Sequence, residues 1–319
     1  MTDSELPQMD PRASTAVVRV PASTSNLGAG FDCFGLALQL YLRVKATADL
    51  KSSVACVVRP GVGEENAGLP LNSDNLIYRS MTYAAQREGV NLPPVQLEVA
   101  NDIPVSRGLG GSAAAVIAGL KLFSALCGRP LAAGKILQYA TEIEGHADNA
   151  APSLLGGFVV NCLAEQGQVI ALPQAWPANI KIVVVVPELH LDTKLARAAL
   201  PALVGHGDAV FNLQRSALFI AALAVRRYDL LEAAMQDRLH QLKRSSLVPG
   251  LAEALATPRM KGLLGLALSG AGPSVVALGL DHFDEIGAAI ARNFEQHGVG
   301  TRVRQLEVDT AGCQVDTAP

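Results

Sequence analysis

The segment Pro104-Val105-Ser106-Arg107-Gly108-Leu109-Gly110-Gly111-Ser112-Ala113-Ala114-Ala115 constrains this chain more than any other. It lies between a strand-like run, Val95 to Val99, and a strong helix-forming run that begins at Ser112. Glycine tolerates left-handed backbone, so the loop can turn its N–H groups inward. The helix that follows then presents unsatisfied N–H donors and its positive dipole end to an anion. Ser112 suits the N-cap, and its hydroxyl suits a magnesium ion or a phosphate oxygen. The same residues would serve a plain capping turn. No Lys precedes Ser112, so this is not a Walker A loop, and the dinucleotide fingerprint sets its glycines in the first strand turn of a regular βαβ unit. Alone, the loop points to phosphate and no further.

The order of elements around it is mixed. Strands are expected at Ala16 to Val20, Gln39 to Ala46, Val54 to Val58 and Val95 to Val99, each rich in Val or Leu and punctuated by Gly, Pro or Asp. Helices are expected at Asn75 to Glu88, closed by Gly89, at Ser112 to Cys127, stopped by Gly128 and Pro130, and at Ala132 to about Glu144. Strands follow at Phe158 to Leu163 and Lys181 to Val186, then a largely helical stretch from Thr193 to Gln236. Two strands around a glycine turn (Gly265 to Ser269, Ser274 to Leu278), a helix from Asp284 to Gln296 and a last strand, Thr301 to Val308, complete the chain. This predicts an α+β fold with two αβ layers, a tail over residues 1–15, a first domain over 16–165 and a second over 166–319.

Composition narrows the partners. The 319 residues are half apolar, only 17% are charged, and the net charge is -3, without a basic run of the kind that binds nucleic acid. The five cysteines are odd in number and are not spaced as metal ligands or a redox pair, which fits a reducing, cytoplasmic compartment. Apolar stretches are interrupted before the roughly 20 residues a membrane span needs, and the N-terminus lacks the marks of a secretory signal. The expected partner is a small molecule.

Two further glycine-bearing strings stand near the ends of the chain. Val20-Pro21-Ala22-Ser23-Thr24-Ser25-Asn26-Leu27-Gly28-Ala29-Gly30-Phe31-Asp32-Cys33-Phe34-Gly35-Leu36 reads as strand, polar turn, apolar strand, offering an amide (Asn26) and a carboxylate (Asp32) to an ammonium or hydroxyl group. Leu268-Ser269-Gly270-Ala271-Gly272-Pro273-Ser274 reads as a turn between two strands. Between them, Glu144-Gly145-His146-Ala147-Asp148-Asn149-Ala150-Ala151-Pro152 sets a carboxylate at a helix end with His and Asp in the next turn, a set able to hold magnesium and place a polar group.

Together these strings resemble the motifs of the GHMP kinases, and Glu144 to Pro152 resembles the homoserine kinase branch of that family. The phosphate loop is similar to the family's P-x-x-x-G-L-G-S-S-A-A, with Gly111 standing where the first serine is usual. The resemblance implies a two-layer fold with an N-terminal ribosomal-protein-S5-like domain, a C-terminal ferredoxin-like domain and a site in the cleft between them. It implies ATP against Asn75, Pro104, Arg107, Gly108, Leu109, Gly110, Gly111, Ser112 and Ala113, with Mg2+ on Ser112 and Glu144, or on Glu142 of the same helix end. It further implies L-homoserine at Asn26, Asp32, His146, Asp148, Thr193, Arg197, Arg244 and Gly270, the arginines reading the carboxylate. Ser112, Asp148 and Asn26 are then the expected catalytic set, acting by positioning, with base catalysis by Asp148 left open. No membrane or nucleic-acid partner is expected, and a homodimer is compatible. Rival expectations are another GHMP kinase, a catalytically silent metabolite sensor, and a nicotinamide oxidoreductase. The Glu144 string and the two arginines argue against the first, retention of Ser112, Glu144 and Asp148 against the second, and Phe31-Asp32 after Gly30 against the third.

Overall fold

The computed structural model describes residues 14–318. The tail expected over residues 1–15 therefore lies outside the described residues except for its end, where Thr15 already opens a strand.

The first half runs β1 (Thr15–Ser25), β2 (Phe34–Ala48), β3 (Cys56–Pro60), α1 (Leu76–Glu88), β4 (Val95–Asn101), α2 (Gly111–Leu126), α3 (Ala133–Glu144), α4 (Ala150–Leu155), β5 (Phe158–Leu163) and β6 (Val169–Gln174). The second half runs β7 (Lys181–Pro187), α5 (Thr193–Ala198), α6 (His206–Ala224), α7 (Leu231–Ala234), α8 (Gln241–Ser245), α9 (Leu251–Leu255), β8 (Leu263–Leu268), β9 (Val275–Gly279), α10 (Phe283–Glu295), β10 (Thr301–Leu306) and β11 (Gln314–Ala318).

Two sheets result. The first has the order β11-β1-β2-β4-β3, with β5 also on β2 and β6 on β5. Strand β2 serves two partners on one side: Phe34 to Leu36 pair with β5, and Leu42 to Ala48 pair with β4. The expected boundary at residue 165 falls inside the β5–β6 hairpin, so the first sheet continues to Gln174, and β11 later returns to pair with β1. Both added strands are short and largely exposed, and therefore lack the hydrophobic alternation that marks a half-buried strand. The last strand is consequently β11 rather than the expected Thr301 to Val308.

The second sheet is antiparallel with the order β10-β7-β9-β8, which in chain order is 4-1-3-2 of a split βαβ arrangement. Strand β7 shows why it is central. Val183 and Val185 enter a core with Ile286, Ile290 and Phe294 of α10, whereas Ile182, Val184 and Val186 enter the main core, which also holds Phe219, Leu231 and Met235. Period-two alternation thus feeds two apolar layers from one strand. The chain is α+β, as the sequence predicts.

Helix α2 carries the site. It is buried on nearly every side, and Gly119 lets α1 cross it closely, since an added Cβ would run into the Ile77 carbonyl. Its N-terminus opens between the two sheets, and serine-rich contacts close that seam. Ser269 Oγ donates to Gly108 O (2.6 Å) and lies 2.8 Å from Thr24 Oγ1, while Gly270 N–H donates to Ser25 O (3.2 Å).

Candidate active site

The residues singled out from sequence as site residues line one cleft, the alternative metal ligand Glu142 excepted: Asn26, Asp32, Asn75, Pro104, Arg107 to Ala113, Glu144, His146, Asp148, Thr193, Arg197, Arg244 and Gly270. The sequence reading missed its apolar wall, to which Leu69, Pro70, Leu76, Val99 and Ile103 contribute, together with Ser25 and Asn149. Those wall residues come from separate segments, each an ordinary core or loop position when read alone.

One end of the cleft is made of backbone. Gly108 (φ 75°) and Gly110 (φ 69°) are left-handed, and a Cβ at either would meet Ser269 O or Ser23 Oγ. Gly110, not Ser112, occupies the N-cap of α2, so its conformation rather than a side-chain cap starts the helix. Ser112, freed from capping, donates from Oγ to Glu144 Oε1 at 2.6 Å. Glu144 is the last residue of α3 and Gly145 (φ 85°) ends that helix. Glu142 faces elsewhere, bound to Tyr83, Arg87 and Gln138, as expected for helix positions two apart. Arg107, beside the loop, is buried, and its Nε and Nη1 have no hydrogen-bond partner. Burial, with Arg302 nearby and against Glu65 and Glu188, lowers its pKa. Asn75 caps α1, accepting from Ile77 N–H at 3.0 Å and donating to Pro70 O at 2.9 Å.

The other end is made of charged side chains. Asp148 is buried, with Oδ1 2.6 Å from His146 Nδ1. Burial alone would raise its pKa, but the hydrogen bond and charge of His146, with Ser25 and Arg197, hold the carboxyl below its ordinary range. For His146, burial lowers the pKa and Asp148 more than offsets it, leaving the imidazole above its ordinary value. Arg197 grips Asp32 with two hydrogen bonds, Nη2 to Oδ1 at 2.8 Å and Nη1 to Oδ2 at 3.1 Å. Arg244 is buried; burial, then the charge of Arg197, bring it down to about 10, so it stays cationic near neutrality. Asn26, itself left-handed at φ 72°, accepts from Asp32 N–H (3.0 Å) and donates to Gly270 O (2.9 Å), tying the first glycine string to the last. Thr193 opens α5 at the rim, where Asp192 caps the helix.

Two carboxylates, two guanidiniums and one imidazole thus face a single small volume. Near-balanced charge of this kind favours a zwitterion over a plain alcohol or a dianion. Neither arginine arrives with a free planar fork, however: that of Arg197 is on Asp32, and that of Arg244 is spent largely on the protein's own acceptors.

The chain's relatives agree with this geometry. Residues 75–157 match the family described as GHMP kinases N terminal domain, and residues 219–296 match GHMP kinases C terminal. The homoserine kinase of Deinococcus radiodurans is 41% identical over 317 residues, 97% of this chain and 100% of that protein. That of Desulfitobacterium hafniense is 40% identical over 299 residues, 93% of this chain and 99% of that protein. Among solved structures, the homoserine kinase of Cytophaga hutchinsonii superposes with a TM-score of 0.83 at 26% identity, covering 98% of this chain and all of that one. A glycine-built anion loop, a Ser–Glu pair at its helix and a charge-balanced pocket, in a chain so similar throughout to these enzymes, place it: this chain belongs to the homoserine kinases of the GHMP kinase family.

Proposed function

We propose that this chain transfers the γ-phosphoryl group of ATP to the side-chain hydroxyl of L-homoserine, giving O-phospho-L-homoserine and ADP in a cytoplasmic route to threonine. The observation that carries the reading is the meeting, in one cleft, of the glycine loop with the charge-balanced cluster of Asp32, Asp148, Arg197 and Arg244.

Gly108, Gly110 and the first turn of α2 form a cradle that a Cβ would fill, and the unpartnered nitrogens of Arg107 suit an anion beside it. The apolar wall near Asn75 suits the adenine. The hydroxyl of Ser112 and the carboxylate of Glu144 are hard oxygen donors 2.6 Å apart. Magnesium keeps most of its waters and takes few protein ligands, so this pair fits it, whereas a cage of three or more His, Cys, Asp or Glu is absent among the described residues. When bound there, the ion would neutralise charge on the phosphate groups of the nucleotide.

The residues of the chain then act by alignment. Asp148, held ionised by His146, orients the substrate hydroxyl together with Asn26; a carboxyl with a lowered pKa is a weak proton acceptor, so positioning outweighs base catalysis. Asp32 takes the ammonium group, and Arg197 and Arg244 the carboxylate, so the bound zwitterion partly replaces the Asp32–Arg197 pair. A coupled ADP-release assay tests this: turnover is expected only with L-homoserine and Mg2+ together. Equal turnover of galactose or mevalonate would overturn the substrate assignment.

A further inference from the structure

His240 lies behind the cleft wall, fully buried, at the N-cap of α8. Its backbone is locked by Asp237, whose carboxylate accepts the N–H groups of Leu239 (3.0 Å), His240 (2.9 Å) and Gln241 (2.8 Å) and the amide of Asn212 (2.7 Å). The ring stacks on Phe31 of the first glycine string, with centroids 5.1 Å apart and planes at 27°.

The two ring nitrogens have different partners. Nε2 is 2.9 Å from Gly28 O, and a carbonyl only accepts, so Nε2 carries the proton. In a neutral ring Nδ1 is then a lone pair, and it sits 3.3 Å from Arg244 Nη1. Burial and, more weakly, Arg244 lower the pKa of His240 against Asp237, Gly28 and Asp32, in keeping with the neutral form. Arg244 in turn donates from Nε to Ala196 O (3.2 Å) and from Nη1 to Gly270 O (3.1 Å). Its Nε and Nη1 donors are thereby used. Among the described residues Nη2 has no protein acceptor, and Arg244 is a cleft-lining residue.

We propose that His240 is a positioning residue for substrate recognition: a neutral imidazole anchored on Gly28 accepts from Arg244 Nη1 and so holds the guanidinium with Nη2 facing the amino-acid end of the cleft. The inference rests on the reading that Arg244 binds the substrate carboxylate. An apolar side chain of similar size would fill the same space, but it would leave a buried Nη1–H without its acceptor and remove one of the three bonds that fix the guanidinium, loosening its orientation. Phe31 braces the assembly, stacked on His240 and 5.4 Å from Arg244 Cζ.

The test is a pair of amide variants read by separate KM values for L-homoserine and ATP. His240→Gln keeps a donor that reaches Gly28 O but loses the Nδ1 acceptor; it is expected to raise the homoserine KM about tenfold or more, with the ATP KM within about twofold. His240→Asn restores an acceptor near the Nδ1 position and loses the Gly28 contact; it is expected to melt earlier yet raise the homoserine KM less than a third as much. Equal rises in the two variants, or a homoserine KM within twofold of wild type in His240→Gln, overturn the proposal. Should His240→Gln not fold, a tenfold rise in His240→Asn overturns it by itself and a smaller rise sustains it. Arg244→Lys separates the two levels of inference. If that variant leaves the homoserine KM unchanged, the carboxylate reading fails; if it raises KM while His240→Gln does not, only the role of His240 fails.

Discussion

The two ends of the cleft are built from different material. At the end proposed for the nucleotide the available groups are backbone amides of one continuous segment, set by the left-handed Gly108 and Gly110 and by the start of α2. At the amino-acid end they are side chains drawn from distant parts of the chain: Asp32 before β2, Asp148 before α4, Arg197 in α5 and Arg244 in α8. A backbone cradle tolerates any nucleoside triphosphate and is insensitive to most single side-chain changes. A cluster of charged side chains discriminates, and it depends on every member, because removing one leaves its partner uncompensated. Ser112 and Glu144 stand at the junction of the two.

That junction is where a single change should cost most. Ser112→Ala and Glu144→Ala each are expected to lower kcat by roughly 100-fold or more, about 2.7 kcal/mol of transition-state stabilisation, while Glu142→Ala stays near wild type. Steady-state kinetics at saturating ATP and homoserine checks this. The reverse pattern would move the metal ligand to the outer face of α3, where Glu142 now pairs with Arg87.

Next in size is the amino-acid end. Arg197→Lys and Arg244→Lys keep the charge but lose the planar donor set, and each should weaken homoserine capture by about 1–2 kcal/mol, roughly 5- to 30-fold in KM. For Arg244 the loss includes bonds to Ala196 O and Gly270 O, which a lysine reaches only one at a time. The KM for ATP should hardly move, since the proposed nucleotide site lies against the other wall. L-Threonine carries the same constant end and should compete with homoserine in wild type and lose potency in both variants. A rise confined to the ATP KM would show that the division of the cleft is wrong.

The same contrast explains what could be read from the residues alone. The phosphate loop is contiguous, so glycine spacing and a helix start lie side by side, and local chemistry identifies it. Neither Arg197 nor Arg244 has a local signature: each looks like a surface arginine until the fold brings them to Asp32 and Gly270. Their placement in a site came from resemblance, not from pattern. Asn26 and Asn75 are expected as ligand contacts; each amide also bonds backbone, Asn26 across the seam and Asn75 at a helix cap, and each keeps one N–H and one lone pair for a ligand. His240 gave no signal, because a buried histidine beside a short helix resembles any core position. Strands β6 and β11 escaped because edge strands with exposed faces carry no alternation, whereas the fully buried valines of β7 and the amphipathic α10 were plain.

The smallest expected effect sharpens the backbone side of the comparison, because neighbouring glycines of the loop differ in kind. Gly110 is left-handed and packed against Ser23, so Gly110→Ala adds conformational strain to a steric clash and should lower the melting temperature and the activity together. Gly111 has no left-handed constraint, and an added Cβ would meet only Ile103 Cγ2, at 3.5 Å, an ordinary contact. It is the first residue of α2, where a side chain is tolerated and glycine forfeits helix propensity. Gly111→Ser, which restores the residue usual in the family, is therefore expected to fold with an unchanged or slightly raised melting temperature. Activity should stay within a few-fold, because the phosphate-facing amides are already in place and a hydroxyl adds one contact to them. Thermal melts and ATP KM values for the two variants, measured side by side, decide the point. If Gly111→Ser fell as far as Gly110→Ala, the loop would have to depend on a bare backbone at both positions, and the cradle would extend one residue further into α2 than its dihedral angles imply.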